Sequence, residues 1–536
     1  MLRKRPGRVS LRRQNLCMKT HPGFSESPQT EQALSHLKTE LERLERTARE
    51  LEPSTGAFRD MAAEVVDYAA GYLNDLGRRK TWAGSIPEEG FEDFDKPSEA
   101  GSELREALQV IRKQVDSLAL DAASGGHLAY IPGGGIVPAA LGDLLADIAN
   151  NYAGVYYPSP GAVRIENGLI RWLADLLGYP DSAAGTMLSG GSLATLTAVA
   201  AARDNWDPKG NRDRSRAVVY LSEQTHHCVD KSIRMAGMGG ARHRYIPLTA
   251  NYRIDTVALR SMIQEDLNAG FEPWLLVASA GTTDTGAVDP LQELASISKE
   301  FGLWYHVDAA YGGGFLLVEE LRQNMKGIEL SDSVVIDPHK GFFLPYGTGV
   351  VIVREGEKLQ FSSRYDASYL LEARDVTGQN ESEREKWMRT SPADLSPELT
   401  RHFRGLRFWL PIKLFGVARF RAALEEKALL CRWFHKAIAE EGFQTGPEPD
   451  LSVCIYRYDP EGLSLEESND FNRQLLQKVL ADGRIFLSST MIDGRFWIRL
   501  AVLCFRSHFE HVDLARQLLV QGKDELLQDL EDSGAA

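Results

Sequence analysis

With 536 residues, 43% hydrophobic and 25% charged, the chain can hold two or three structural units with large cores. A net charge of −14 and a pI near 5.5 argue against a nucleic-acid or acidic-membrane partner. No apolar run reaches the ~20 residues that span a bilayer, and five cysteines without paired spacing fit a reducing cytoplasm better than a disulfide framework.

The first residues, MLRKRPGRVSLRRQNLCMK, are basic and contain no acid, and residues 1–30 read as an extension. A transit peptide is one reading. Without an apolar face or h-region, the expectation is sequence upstream of a start at Met18. Over 31–51, Leu34, Leu37, Leu41, Leu44 and Leu51 recur at helical spacing among charges, an amphipathic helix that needs a partner surface. Helices follow over 58–76 and 102–117, separated by a Pro/Gly/acid linker at 86–97. Stripes without strands make 31–136 a helical segment that packs on something else, such as a second subunit.

Residues 125–135, GGHLAYIPGGG, form a loop by composition, and its glycines do not make a dinucleotide fingerprint. Helices over 137–148 and 163–177 flank an aromatic, proline-punctuated stretch, 151–160, read as an extended lining segment or a packed surface loop. From Met187 onward short β-branched runs alternate with helices, the pattern of a buried, mostly parallel sheet. Strands are predicted over 217–221, 274–280, 303–307, 334–336 and 349–353. Residues 362–400 turn polar and irregular and read as a mobile loop, such as a lid, within a large domain spanning 137–420. Helical patterns at 403–420 and 421–441, strand-like runs at 454–458, 483–488 and 496–504, and a helix at 467–482 follow. They place an α+β C-terminal domain at 421–528.

Four constellations carry chemistry. Ser189-Gly-Gly-Ser192 opens a helix, where free amides form an anion site, although a simple Ser N-cap is the structural alternative. In Thr225-His226-His227-Cys228, neighbouring side chains diverge, so one histidine facing a planar cofactor is a better reading than a zinc site. Asp308 ends an apolar strand before Ala309-Ala310-Tyr311 and three glycines. A carboxylate there is expensive unless it meets a cation, such as a protonated ring nitrogen. Lys340, within Asp337-Pro-His-Lys340, lies between buried runs and is expected to be kept partly neutral by desolvation, a nucleophilic amine able to form an imine. A phosphate cradle, a ring-stacking group, a pyridinium partner and an imine-forming lysine together match pyridoxal 5′-phosphate.

The motifs SGGSLAT at 189–195, EQTHHCVDKS at 223–232, GTTDTGAVD at 281–289, HVDAAYGG at 306–313, DPHKGFFLPYGTG at 337–349 and IDGRFWIRL at 492–500 are those of a known family. The chain resembles the group II pyridoxal-phosphate-dependent amino acid decarboxylases, the aromatic-L-amino-acid decarboxylases among them, over roughly residues 58–515. The resemblance implies the transferase fold-type I: a helical N-terminal segment, a large domain with a seven-stranded, mostly parallel sheet, and a small α+β domain. It also implies a homodimer with active sites at the interface. By matching motif, Lys340 would carry the cofactor as a Schiff base, Asp308 would pair with the pyridine nitrogen and His226 would stack on the ring opposite Ala310. Gly191, Ser192 and His339 would surround the phosphate, with Thr283 near the ring substituents. Tyr130, Ile131 and Pro132 would line the substrate pocket, and Tyr152 and Tyr156 would reach it from the partner subunit.

Two positions depart from the family. Asp337 stands beside the phosphate where the animal aromatic decarboxylases have asparagine. A rough alignment also places Pro392 where those enzymes carry a proton-donating loop tyrosine, with Tyr365 and Tyr369 nearby. The expected reaction is α-decarboxylation of an L-amino acid, aromatic or bulky side chains favoured, to the amine and CO2. An aldehyde synthase or another carbon–carbon lyase on the same scaffold is the alternative. A non-catalytic dimeric scaffold and a metal hydrolase built on His226, His227 and Asp308 are more distant ones.

Overall fold

A computed structural model describes residues 28–84, 99–363 and 382–532. The chain divides into two units, 1–72 with 102–108, and 73–101 with 109–536. The first holds helix Pro28–Ala48 and most of helix Thr55–Asp75. Leu34, Leu37, Leu41 and Leu44 are more than half exposed along the first helix, so the expected apolar stripe is present. Ion pairs one turn apart, such as Arg43–Glu40, run along its polar side.

The second unit is built on a seven-stranded sheet: β1 Ala184–Leu188, β2 Ala217–Leu221, β3 Arg242–Tyr245, β4 Glu272–Ser279, β5 Trp304–Asp308, β6 Ser333–Ile336 and β7 Gly349–Val353. Their spatial order is β1-β7-β6-β5-β4-β2-β3. Strands β3, β2, β4, β5 and β6 pair in parallel, while β7 runs antiparallel to both β6 and β1. Every residue of β1, β2, β5, β6 and β7 is buried, as the β-branched runs predict. Alternation sends Val334 and Ile336 into one core and Val335 into the other.

A second, four-stranded antiparallel sheet comprises β8 Gln444–Thr445, β9 Val453–Arg457, β10 Ser488–Ile492 and β11 Arg495–Ala501. Its spatial order is β10-β11-β9-β8. Helices Leu465–Asp482 and Phe509–Asp532 cover it, the former started by a capping box between Ser464 and Glu467.

Several elements differ from the sequence reading. Strand β1 starts at Ala184 rather than Met187, because its small residues carry little β signal. Strand β3, RHRY, is a half-exposed edge strand with no apolar run, and helix Thr256–Asn268, capped by Asp255, is also unpredicted. The long helical patterns meet at Gly416, whose φ of 69° breaks Arg404–Glu440, rather than at 420. Within 362–400, residues 364–381 lie outside the described residues. Residues 382–400, read as irregular, contain helix Glu383–Arg389, with Trp387 and Leu395 buried. The Asn167 amide bonds the carbonyls of Trp387, Met388 and Thr390, which holds this polar stretch in place.

The same stretch reaches the first strand through a buried ion pair. Arg401 Nη1 lies 2.8 Å from Glu166 Oε1, with both side chains essentially inaccessible. Arg401 also donates to the Met187 carbonyl, and Glu166 Oε1 accepts the Met187 amide, so the pair grips β1 just before Ser189. Removing one member strands the other in the core. Arg401→Ala is expected to cost about 3–5 kcal/mol, read as a lower urea midpoint. The double variant Glu166→Leu/Arg401→Met should recover most of that loss.

Candidate active site

The carboxyl edge of the large sheet opens into a cavity of about 320 Å³. Its first wall is the turn from β1 into helix Gly191–Trp206. The N-cap there is Gly190, with no side chain capping the helix, so Ser189 does not take the ordinary capping role. Gly191 leaves room for the Asp337 carboxylate: a Cβ on it would sit 2.7 Å from Asp337 Oδ2 and displace that group. First-turn amides facing a cleft in this way suit a phosphate.

Asp308 is the last residue of β5, and its Oδ1 accepts the Ala310 amide at 3.0 Å. Its neighbour β6 ends at Ile336, and the next turn, Pro338–Gly341, carries His339 and Lys340. Lys340 Nζ lies 3.0 Å from Asp337 Oδ2, and its side chain keeps 25% exposure, which leaves the amine open to the cavity. Burial pulls the Lys340 pKa down, but the carboxylates of Asp337 and Asp308 outweigh it, and the net shift is upward. This corrects the expectation of a desolvated, partly neutral amine. The sequence shows buried flanks, but not that two acids face the lysine.

His226 Nδ1 accepts the Cys228 amide at 3.3 Å, which leaves the proton of the neutral ring on Nε2. Burial lowers its pKa against the pull of Asp308. The His227 ring lies against it, centroids 4.1 Å apart, so the two rings pack together rather than converge on an ion. His339 is likewise pushed down by burial, and its Nδ1 donates to the Thr348 carbonyl at 2.6 Å.

The cavity therefore gathers nine of the predicted residues: Gly191, Ser192, His226, Thr283, Asp308, Ala310, Asp337, His339 and Lys340. Tyr130, Ile131, Pro132, Tyr152 and Tyr156 do not line it. Tyr130 and Ile131 take left-handed backbone, φ 52° and 65°, which turns Ile131 into the core and leaves Tyr130 63% exposed. Their segment still passes close behind the lysine, since a Cβ on Gly133 would lie 2.2 Å from the His339 carbonyl oxygen. Pro392 is buried in a short 3-10 turn away from the cavity, and Tyr365 and Tyr369 fall outside the described residues.

Sequence reasoning passed over Gln224 and Tyr311, both in the quoted motifs. Gln224 lines the cavity with its buried Oε1 unpartnered among the described residues. Tyr311 Oη bonds Ser452 Oγ at 2.7 Å, which ties the cavity wall to the second sheet.

An uncapped helix start, an open amine, a carboxylate at a strand end and a neutral imidazole fit the phosphate, aldehyde, ring nitrogen and ring face of pyridoxal phosphate. The family model for the pyridoxal-dependent decarboxylase conserved domain matches residues 94–458.

This chain belongs to that decarboxylase family.

It is a pyridoxal-phosphate-dependent amino acid decarboxylase of fold-type I, as its motifs imply. An aromatic-L-amino-acid decarboxylase of Bacillus atrophaeus is 31% identical over 467 residues, 86% of this chain and 94% of its own length. A phenylacetaldehyde synthase of Petunia hybrida is 28% identical, covering 85% of this chain and 92% of its own. The crystal structure of Catharanthus roseus tryptophan decarboxylase in complex with L-tryptophan superposes with a TM-score of 0.80. It is 25% identical over 88% of this chain and 99% of that one.

The decarboxylase holds its cavity wall through a second buried acid. Asp289 accepts the Ser279 amide at 2.7 Å through Oδ2 and the Ile254 amide at 2.9 Å through Oδ1. Burial pushes its pKa up to about 6 despite those bonds. A carboxyl raised on folding contributes stability that is complete below its unfolded value, near 4, and is lost as pH rises through the folded one. Asp289→Asn should therefore remove a stability loss between about pH 4 and about pH 6. Urea unfolding of both proteins across that window is the check, and a constant difference between them would contradict it.

Proposed function

We propose that the enzyme removes the α-carboxylate of an L-amino acid with an aromatic or bulky side chain, releasing the amine and CO2. The observation that carries the reading is the convergence of Lys340, Asp308 and His226 on one cavity at the sheet edge. Pyridoxal phosphate, when bound, supplies the electron sink for the pair left by CO2. Lys340 would hold the cofactor through its amine, which is open to the cavity. Asp308 would hold a proton on the ring nitrogen, and the neutral His226 ring and Ala310 would enclose the ring. The amides of Gly191 and Ser192, with His339, would hold the phosphate, and Thr283 would lie near the ring substituents.

The aromatic preference is supported by the relatives, two of which are named for aromatic amino acids or their complexes. The exposed Tyr130 would form part of the substrate wall, completed by Tyr152 and Tyr156 from a second copy of the chain. The exposed leucines of helix Pro28–Ala48 support a homodimer in which the segment 31–136 packs on the partner. A cytoplasmic location is supported by Cys228, Cys431, Cys454 and Cys504, all unpaired and buried.

A second reading, oxidative deamination to an aldehyde, is favoured by one feature. Residues 382–403 contain no tyrosine, and Pro392 stands where the family's proton donor is expected. One set of assays separates the readings. The purified enzyme should release CO2 from aromatic L-amino acids in step with amine, and Lys340→Ala should lower kcat by at least about a thousandfold. Ammonia and peroxide formed in step with CO2 would favour the aldehyde synthase. Undiminished turnover by the colourless Lys340→Ala variant would refute the anchor.

A further inference from the structure

Asp337 has a position the phosphate role does not explain. It occupies the N-cap of Pro338–Gly341, yet its side chain makes no capping bond. The carboxylate instead turns into the cleft, 3% exposed, with Oδ2 on Lys340 Nζ at 3.0 Å. Oδ1 is buried with no hydrogen-bond partner among the described residues. His339 Nε2, at 3.6 Å, belongs to a ring that burial keeps neutral. A carboxylate so enclosed has its desolvation offset by a cation, and Lys340 is the cation at hand. The charged and titratable groups facing Lys340 are Asp337 and His339 on its own turn, Asp308 on β5, His226 and Cys228 beside the ring site, and Tyr346 after the turn. Two acids thus face one amine.

We propose that Asp337 is the counter-ion that keeps Lys340 Nζ protonated whenever the amine is free of the cofactor. The pair is then the acid that returns a proton to the substrate carbon vacated by CO2. This rests on Lys340 being the anchor. The step balances: the carbon–carboxylate bond breaks, its electron pair stays with the carbon, and an Nζ–H bond breaks as a C–H bond forms there. Nζ is left neutral, with the lone pair it needs to recapture the cofactor aldehyde as the product amine departs. The raised Lys340 pKa agrees with this role. In a chain with Pro392 at the position of the loop tyrosine, the dyad supplies a proton source within the described cavity.

The test uses full-length protein stripped of cofactor, with pyridoxal, which lacks the phosphate, as the probe. Imine formed at Lys340 is fixed with cyanoborohydride and counted by peptide mass spectrometry from about pH 6 to about pH 10. The wild-type rate should climb across the range without a plateau. Asp337→Asn, of equal size, should label about tenfold faster or more at neutral pH, while kcat of the reconstituted enzyme falls. Those opposite signs are not what a merely damaged site gives, because damage lowers both. Equal labelling, a fall in both rates, or acceleration with pyridoxal phosphate but not pyridoxal would each overturn the proposal. The last outcome would assign Asp337 to phosphate repulsion alone. If the variant does not fold, the wild-type profile decides: a plateau below about pH 9 overturns the proposal and a continued climb supports it. Labelling that persists in Lys340→Ala would instead strike the anchor assignment itself.

Discussion

Two carboxylates and one amine share a cleft whose walls are strands buried on both faces. In such surroundings a charge is tolerated only beside its opposite, so the placement of Asp308, Asp337 and Lys340 has to be rigid. Strand register provides that rigidity. In the β5–β6 pair Asp308 stands opposite Val335, and two further bonds, Ala309 N to Val335 O and Asp337 N to Ala310 O, carry the pairing past the strand ends. The turn bearing Lys340 is seated by close backbone contact, since a Cβ on Gly314 would lie 2.7 Å from the Gly341 Cα. Larger side chains at those glycines would push the amine away from its acids.

The far wall depends on the second sheet. The loop from Ser279 to Asp289 carries Thr282 and Thr283 into the cavity, and small-domain residues hold its other side. Arg499 Nε donates to the Asp284 carbonyl, Asp450 Oδ2 accepts the Val288 amide, and Ser452 bonds Tyr311. Gly286 packs on Val453, leaving a Cβ only 2.8 Å from that side chain. The second sheet therefore positions one side of the cavity.

Most of the central sheet was legible in the sequence, because a buried parallel strand has to be an apolar β-branched run and little else looks like one. Runs such as Val334–Ile336 could be read directly, whereas β3 could not, since an edge strand of Arg-His-Arg-Tyr owes its place to backbone pairing. Lys340, Asp308 and His226 stood out because each interrupts or ends such a run. The protonation of Lys340 did not. It depends on a carboxylate three residues away turning inward instead of capping its helix, and spacing alone carries no record of that choice. The left-handed backbone at Tyr130 and Ile131 was equally hidden. Neither residue is a glycine, and the tight approach of Gly133 to His339 is a tertiary constraint.

Burial also separates what is hard to change from what is easy. The cavity's acids, amine and helix start are fixed by strand register and glycine contacts, so a substitution there disturbs the core together with the chemistry. Tyr130, at 63% exposure, and Tyr152, at 37%, are under no comparable packing constraint in a single chain. Substitution at such positions leaves the packing around Lys340 and Asp308 in place. A scaffold divided in this way can keep its cofactor chemistry while the substrate changes. Control of the proton that follows CO2 loss is a separate variable, and if Asp337 holds that proton on Lys340, an exchange there that changes charge but not volume is where decarboxylase and aldehyde synthase can part.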